Sequence, residues 1–171
     1  MNRLDVLELI SGGEGSRVEF KRKLGDSRDF AKELVALANL AGGTLLVGVD
    51  DDRTVPGLDR SDLEAWVMEA CRTKIRPPII PYYQEVEVRA GVRVAVIEVE
   101  RGYSVHSVWH NQRHTYYIRV GSTSQEARPE ELARLFQQRG ALRAEAQPVS
   151  GATLEHLDLR RLAEYFTTVR K

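Results

Sequence analysis

Residues 14–57 read EGSRVEFKRKLGDSRDFAKELVALANLAGGTLLVGVDDDRTVPG, and this stretch contains the pattern that decides the fold. A charged strand is followed by a short amphipathic helix, by the turn Ala41-Gly42-Gly43, and by an apolar strand that stops at Asp50-Asp51-Asp52. Strand, helix and buried strand in this order predict a sheet with a helix packed against it.

The first strand of this stretch, at about residues 17–23, alternates charged and apolar side chains. Successive side chains of a strand point to opposite faces, so the apolar Val18 and Phe20 face a core. The opposite face carries Arg17, Glu19, Lys21 and Lys23. A charged face of this kind is either a solvated surface or a binding surface, and the residue types alone leave both interpretations open.

Carboxylates from two segments, Glu14 with Glu19 and the run Asp50–Asp52, are candidates to converge beside this strand. A continuous strand would place Glu14 and Glu19 on opposite faces, but the glycines around Glu14 allow a turn that brings its side chain round. Such a group of carboxylates suits a divalent metal next to a phosphodiester.

The composition is that of an ordinary globular protein, with 42% hydrophobic and 29% charged residues among 171. This length allows one well-packed domain with a small appendage. No apolar run approaches the roughly 20 residues that span a bilayer, and the first residues lack a secretory pattern. We therefore predict no membrane partner and a cytoplasmic location. The lone Cys71 excludes internal disulfides and a cysteine zinc cage, and its helical spacing predicts burial.

The charge is balanced overall but unevenly distributed. The 25 basic residues equal the 25 acidic ones in number, which argues against a protein that coats nucleic acid through bulk charge. Residues 101–125, however, contain no acidic residue and interleave arginine and histidine with tyrosine and tryptophan. This segment suits phosphate contacts with base stacking and equally suits ordinary aromatic packing in a β-rich region.

The remaining periodicity predicts an α+β fold, a mixed β-sheet with flanking helices. The expected elements are a helix at 2–10, a helix capped by Ser27 or Asp29, a strand at Thr44–Val49, a helix begun by a capping box at Ser61–Glu64, paired strands at 82–89 and 92–99 with a turn at Ala90-Gly91, strands at 104–110 and 114–120 with a turn at Asn111-Gln112, and a helix with Pro129 in its first turn.

Two regions follow from this pattern. Residues 1–140 are expected to form the domain, and residues 141–171 a linker and a C-terminal helix that leads into a downstream region of a longer protein. The polar, Ala/Gly-rich segment Gln137–Gly151 predicts the linker, and Leu157–Val169 has an apolar stripe that makes this helix a candidate for a homodimer contact.

Several familiar motifs are absent from the sequence. No GxxxxGK[ST] nucleotide-binding loop occurs, and Leu46-Val47-Gly48-Val49 lacks the GxGxxG dinucleotide pattern. His106, His110 and His114 have a spacing that would hold a metal on one helix. The surrounding Val, Trp and Tyr residues predict a hairpin instead, in which that spacing has no such meaning.

Three ordered blocks resemble the Schlafen-type, Alba-like domain family over about Leu4 to Gly140. They are Glu14–Lys21, Ala36–Asp51 and Tyr116–Thr123. The resemblance implies an α+β nucleic-acid-binding domain, and bacterial relatives are described as DNA-binding or transcriptional regulators. Many of those relatives have a Lys-Pro step where this chain has Ser104-Val105-His106.

In animal members with nuclease activity, two glutamates spaced like Glu14 and Glu19 join an aspartate in a metal-dependent RNA-cleaving site. Asp51 best matches this aspartate, and Asp50 is the near alternative. Those nucleases clasp RNA between two such lobes, whereas this chain has one copy.

The first function that we predict is nucleic-acid binding, as the DNA-binding domain of a transcriptional regulator, with DNA or structured RNA as partner. The candidate phosphate contacts are Arg17, Lys21, Lys23, Arg72, Lys74, Arg76, Arg113 and Arg119. The alternative is an endoribonuclease in which Glu14, Glu19 and Asp51 hold Mg²⁺ or Mn²⁺ and Lys21 stabilises developing charge. A third hypothesis is an interaction scaffold that self-associates through its C-terminal helix.

Overall fold

The computed structural model of the protein describes residues 1–140 and 158–168. The chain divides into two compact units, Met1–Ala141 and Leu142–Lys171. The first unit contains α1 (Arg3–Gly12), β1 (Val18–Lys21), α2 (Ser27–Leu40), β2 (Gly42–Val47), α3 (Leu63–Lys74), β3 (Ile75–Arg76), β4 (Tyr82–Arg89), β5 (Val92–Glu100), β6 (Ser107–His110), β7 (Arg113–Thr115), β8 (Tyr117–Val120), β9 (Thr123–Glu126) and α4 (Pro129–Gln138).

The second unit contains α5 (Leu159–Thr168), which lies within the predicted C-terminal helix. The rest of that predicted helix, and the predicted linker from residue 141 onward, lie outside the described residues. Within the described ranges, no helix combines the length and the apolar character that a membrane span requires.

A four-stranded mixed sheet in the order β1-β2-β5-β4 forms the centre of the first unit. β1 and β2 are parallel, and β5 pairs antiparallel with both β2 and β4. Two smaller antiparallel sheets follow, in the orders β3-β6-β7 and β8-β9. The predicted α+β class with a mixed sheet and flanking helices is confirmed.

Both faces of the central sheet are buried. Leu45 and Ile97 point to one side, where they pack with Leu34 of α2 and Val67 of α3. On the other side, Leu46, Val94 and Val96 pack with Phe20 and with Val6 and Ile10 of α1. Burial on both faces explains why β2 and β5 read as nearly continuous apolar runs instead of alternating ones.

Two glycines in the motif are required by close backbone approaches. A Cβ on Gly43 would lie 2.4 Å from the carbonyl oxygen of Arg17, where β1 meets β2. Gly48 has φ +95° and packs against Gly57, which returns the chain after the aspartate-rich turn. These contacts explain why the segment around β2 carries glycine at its two ends.

Local details differ from the sequence-based expectations at three places. Asp26 caps α2 by accepting a hydrogen bond from the Arg28 amide at 2.6 Å, in place of the predicted Ser27 or Asp29. The predicted capping box at Ser61 does not form, since α3 starts at Leu63 after an N-cap Asp62 that makes no side-chain capping bond. The predicted strand 114–120 breaks at Tyr116 into β7 and β8, which belong to different sheets.

Candidate nucleic-acid interface

Glu14 lies in the turn before β1, and Glu19 lies on β1 next to Phe20. The Glu14 side chain accepts a hydrogen bond from the Phe20 amide at 2.9 Å. The chain therefore makes the turn that the glycines around Glu14 were expected to allow. Lys21 forms an ion pair with Oε1 of Glu19. Partial burial alone would lower the pKa of Lys21, but the hydrogen bond and charge of Glu19, with Glu33 and Glu14, outweigh it and raise the pKa.

Arg119 on β8 closes a buried charged cluster with Glu19 and with Glu33 of α2. Its side chain is 0% exposed and lies 2.8 Å from Glu19 Oε2 and 3.2 Å from Glu33 Oε2. The same guanidinium donates to the backbone oxygens of Gly15 at 2.6 Å and Ser122 at 2.8 Å. Arg119 was predicted to contact phosphate, but in the structure its side chain is enclosed and its Nη1 and Nη2 donors bond to the protein itself.

This cluster also corrects the interpretation of the charged face of β1. Glu19 is buried, and both of its carboxylate oxygens have cationic partners, Lys21 on Oε1 and Arg119 on Oε2. Glu33 was missed in the sequence, although it adjoins the apolar stripe of α2 that includes Phe30, Leu34 and Leu37. An acidic residue beside a buried helical stripe is the signal that points to it.

The predicted metal-binding group is not brought together. Within residues 1–140 and 158–168, no three His, Cys, Asp or Glu side chains cluster as metal ligands would. Asp51 is exposed, and the alternative Asp50 pairs with Arg22 at 3.2 Å. Because Glu19 is neutralised by two cations and the aspartates are elsewhere, Glu14, Glu19 and Asp51 do not fit Mg²⁺ or Mn²⁺ as they are placed.

The basic residues on either side of β1, Arg17 and Lys23, are accessible. Arg17 is exposed and lines a cleft of about 610 Å³ together with Tyr82, Glu98 and Arg101. Lys23 is exposed and lines a smaller cleft of about 320 Å³ with Asp26 and Lys21.

The predicted basic cluster Arg72, Lys74 and Arg76 spans the end of α3 and the start of β3. Lys74 acts electrostatically on Asp26, whose pKa is lowered first by the Arg28 backbone hydrogen bond and further by the charges of Arg28 and Lys74. Arg72 is exposed, whereas Arg76 turns back to donate to the Arg72 carbonyl at 2.8 Å. Arg76 therefore serves partly to satisfy the end of α3.

The basic and aromatic segment 101–125 is largely occupied by internal contacts. Trp109 lies against His114 with ring centroids 4.6 Å apart, and Tyr116 packs edge-on against Phe136 at 5.8 Å. Arg113 pairs with Glu126 at 3.3 Å on the surface. These contacts favour ordinary aromatic packing over base stacking as the role of this segment.

One buried amide connects this segment to the core. Asn39 on α2 donates to the carbonyl oxygens of His106 and Tyr117 at 2.9 Å and accepts from the His106 amide. Burial lowers the pKa of His106, whose Nδ1 lies 2.8 Å from the Pro77 oxygen. The lone Cys71 is buried as predicted, and burial raises the pKa of its thiol to about 12.

A further basic feature was missed by the sequence analysis. Arg22, Arg53 and Arg89 line one groove of about 520 Å³ with Asp50 and Thr54. The three arginines come from separate segments of the chain, so no local sequence pattern predicts the groove. We call it the arginine groove.

The fold and this arrangement of charged residues define an α+β domain with a mixed central sheet, in which Glu19 of β1 is paired with Lys21 and with a buried arginine, Arg119. The sequence profile of the family described as Schlafen, AlbA_2 matches residues 14–128, which is more than half of the chain. The chain therefore belongs to the Schlafen, AlbA_2 family.

Solved structures share the fold at low sequence identity. A protein from Corynebacterium diphtheriae matches with a TM-score of 0.58 and 19% identity, over 95% of this chain and 32% of that one. This chain thus spans about a third of that protein's length. The N-terminal domain of a Nitrosomonas europaea protein named as related to the ATP-dependent DNA helicase RecG matches with a TM-score of 0.53 and 23% identity, over 75% of this chain and 94% of that one. A search of curated proteins gives no match.

Proposed function

We propose that this domain binds nucleic acid through basic side chains of the loop after β1 and of the end of α3. The observation that carries the proposal is the accessibility of Lys23, which is exposed after β1, and of Lys74, which is half-buried at the end of α3. In the described part of the chain neither lysine has an ion-pair partner, so both charges are available to phosphates. Arg72 and Arg17 are exposed and would extend the same contact set.

Family membership and the relation of one structural neighbour to a DNA helicase support this proposal. The balanced net charge fits a local and modest electrostatic contact instead of a coat over the whole surface. The finer proposal is the DNA-binding domain of a transcriptional regulator in the cytoplasm.

Fluorescence anisotropy with duplex DNA, single-stranded DNA and structured RNA tests the proposal. We expect binding that weakens as salt rises, with a logarithmic slope reduced by about 0.9 in duplex DNA for each phosphate contact removed. Lys23→Gln and Lys74→Gln should each reduce the slope. Arg113→Gln is the matched control, because Arg113 is exposed but already paired with Glu126. Absence of binding below roughly 100 µM at low salt, near the weak limit of non-specific affinities, would refute the proposal.

RNA cleavage is the alternative, and the gathering of Glu14, Glu19 and Lys21 around Phe20 is the observation that favours it. It requires a rearrangement that frees Glu19 from its two cations. Incubation of tRNA with Mn²⁺ and then with chelator separates the alternatives. Cleavage that Glu19→Gln abolishes while binding persists would support the enzyme, and equal cleavage by both proteins would identify a contaminant.

A further inference from the structure

The arginine groove concentrates positive charge that the protein does not neutralise. Arg22, Arg53 and Arg89 are all exposed, and Asp50 is the acidic residue that lines the groove with them. Asp50 pairs with Arg22 at 3.2 Å, so arginines outnumber carboxylates by three to one among the residues that line this cavity of about 520 Å³. A small, open cavity with this excess favours an anionic ligand over a neutral one.

The guanidiniums are held in place by the backbone. Nη1 of Arg53 donates to the carbonyl oxygen of Ser11 at 3.0 Å, and Nη2 of Arg89 donates to that of Val55 at 2.9 Å. Each bond uses one nitrogen of a group that has five N–H donors, so donors remain for a ligand. An anchored planar fork loses little further freedom when it binds phosphate oxygens in pairs.

The turn that presents Arg53 is itself well ordered by hydrogen bonds. The Asp52 side chain accepts from the Thr54 amide at 2.9 Å and from its hydroxyl at 2.6 Å, so this carboxylate is engaged within the turn. The backbone amide of Arg53 donates to the backbone carbonyl oxygen of Asp50 at 2.8 Å, and Arg53 has a left-handed φ of 69°. The turn therefore fixes where the guanidinium emerges, at some cost in backbone strain.

We propose that the arginine groove is a phosphate-binding site. Its expected ligand is the phosphate of a nucleic-acid strand, which rests on the proposed function, and the same chemistry would accept a free phosphate compound. Three arginines that line one groove can bind either two neighbouring phosphodiesters or one doubly charged terminal phosphate.

The test uses the full chain and variants that leave the fold intact. Arg53→Gly removes the guanidinium but suits the left-handed backbone, and Arg89→Gln removes a second charge. Arg134→Gln is the matched control, since Arg134 is also exposed and its loss changes the net charge equally. Thermal melts verify that each variant folds.

The first measurement is anisotropy of a 20-nucleotide single strand with and without a 5′-phosphate, as a function of salt. We expect Arg53→Gly and Arg89→Gln each to weaken binding by about fivefold to tenfold and to reduce the salt slope by about 0.7 per phosphate contact. Arg134→Gln should leave both values unchanged. A larger loss for the 5′-phosphorylated strand would identify the terminal phosphate as the ligand, and equal losses would identify internal phosphodiesters.

The second measurement is calorimetric titration with pyrophosphate, which separates the two proposals. If Arg53→Gly and Arg89→Gln bind nucleic acid as tightly as wild type does, and wild type binds no pyrophosphate, the arginine groove is not a phosphate site. The proposed function would still stand in that case. Pyrophosphate binding that these two variants abolish, in a protein that binds no oligonucleotide, would retain the phosphate site and refute the proposed function.

Discussion

Arg119 and the arginine groove show two opposite uses of the same side chain. Arg119 is fully enclosed and lies between two carboxylates and two backbone oxygens. Arg22, Arg53 and Arg89 are exposed and share the single carboxylate that lines their groove. The charge of Arg119 is paired within the protein, whereas the arginines of the groove can still pair with a ligand.

The difference shows that the role of an arginine is set by its burial and by the number of its acidic partners. A buried ion pair that loses one partner leaves an uncompensated charge, which costs about 3–5 kcal/mol. An exposed arginine that is removed costs the fold little. Stability and phosphate binding should therefore respond to different substitutions.

The largest expected effect is the loss of stability on replacing Arg119. Arg119→Gln strands Glu19 and Glu33 in a partly enclosed site, and we expect the free energy of unfolding to fall by about 3–5 kcal/mol. Urea unfolding followed by circular dichroism measures it. Arg113→Gln, which breaks an exposed pair, should cost less than about 1 kcal/mol. An equal loss of unfolding free energy in Arg119→Gln and Arg113→Gln would contradict the difference between buried and exposed arginines.

Glu19→Gln should also destabilise the protein, by roughly 1.5–3 kcal/mol, because it removes the carboxylate that Lys21 and Arg119 share. Asp51→Asn, at an exposed carboxylate, should change stability by less than about 0.5 kcal/mol. Thermal melts with and without Mn²⁺ provide both values. A higher melting temperature for Glu19→Gln would instead mean that Glu14, Glu19 and Asp51 repel each other as an empty metal site.

In the groove, Arg53→Gly should leave stability within about 1 kcal/mol of wild type. Relief of the left-handed backbone, worth about 1–2 kcal/mol, offsets the lost hydrogen bond to Ser11, worth about 1 kcal/mol. Arg53→Ala should be less stable than Arg53→Gly, since alanine keeps the strain and loses the bond. If glycine proves the less stable of the two in urea unfolding, the turn does not hold Arg53 in the way described.

The smallest expected effect concerns His106, a buried group with no acidic partner among its described contacts. Burial lowers its pKa in the folded protein, so the unfolded chain binds the proton first as the pH falls below about 6.5. The stability due to neutral His106 is complete above that pH and is lost as the pH falls through the folded pKa. Urea unfolding between pH 8 and 5 should show a smaller decline for His106→Gln than for wild type; an unchanged decline would assign it to other groups.

The sequence predicted the elements that local patterns specify. The hairpin of β4 and β5 follows from clean alternation with a glycine turn, and the helix that begins at Pro129 follows from the fixed φ of proline. The capping box at Ser61 was wrong, because α3 starts one residue later, at Leu63, and the carboxylate of its N-cap Asp62 accepts from Nε and Nη2 of Arg60, each at 2.6 Å. Capping patterns do not reveal such competing side-chain partners.

The charged residues were harder to assign because their partners are remote in the chain. Arg119 and Glu19 are 100 residues apart on strands of two different sheets, and only the folded domain brings them into contact. The arginine groove draws on three segments in the same way. Lys23 and Lys74 remain predictions as phosphate contacts, and neither has an ion-pair partner among the described residues.

The division between structural and ligand-binding arginines is tested most directly by thermal melts of wild type, Arg119→Lys and Arg53→Gly, each with and without pyrophosphate at ten times its Kd. Wild type should gain about 1.4 kcal/mol, or roughly 4 °C, on adding pyrophosphate. Arg119→Lys should melt well below wild type and still gain the same increment, whereas Arg53→Gly should melt near wild type and gain less than half of it. A full increment in Arg53→Gly, or a wild-type melting temperature in Arg119→Lys, would contradict this division.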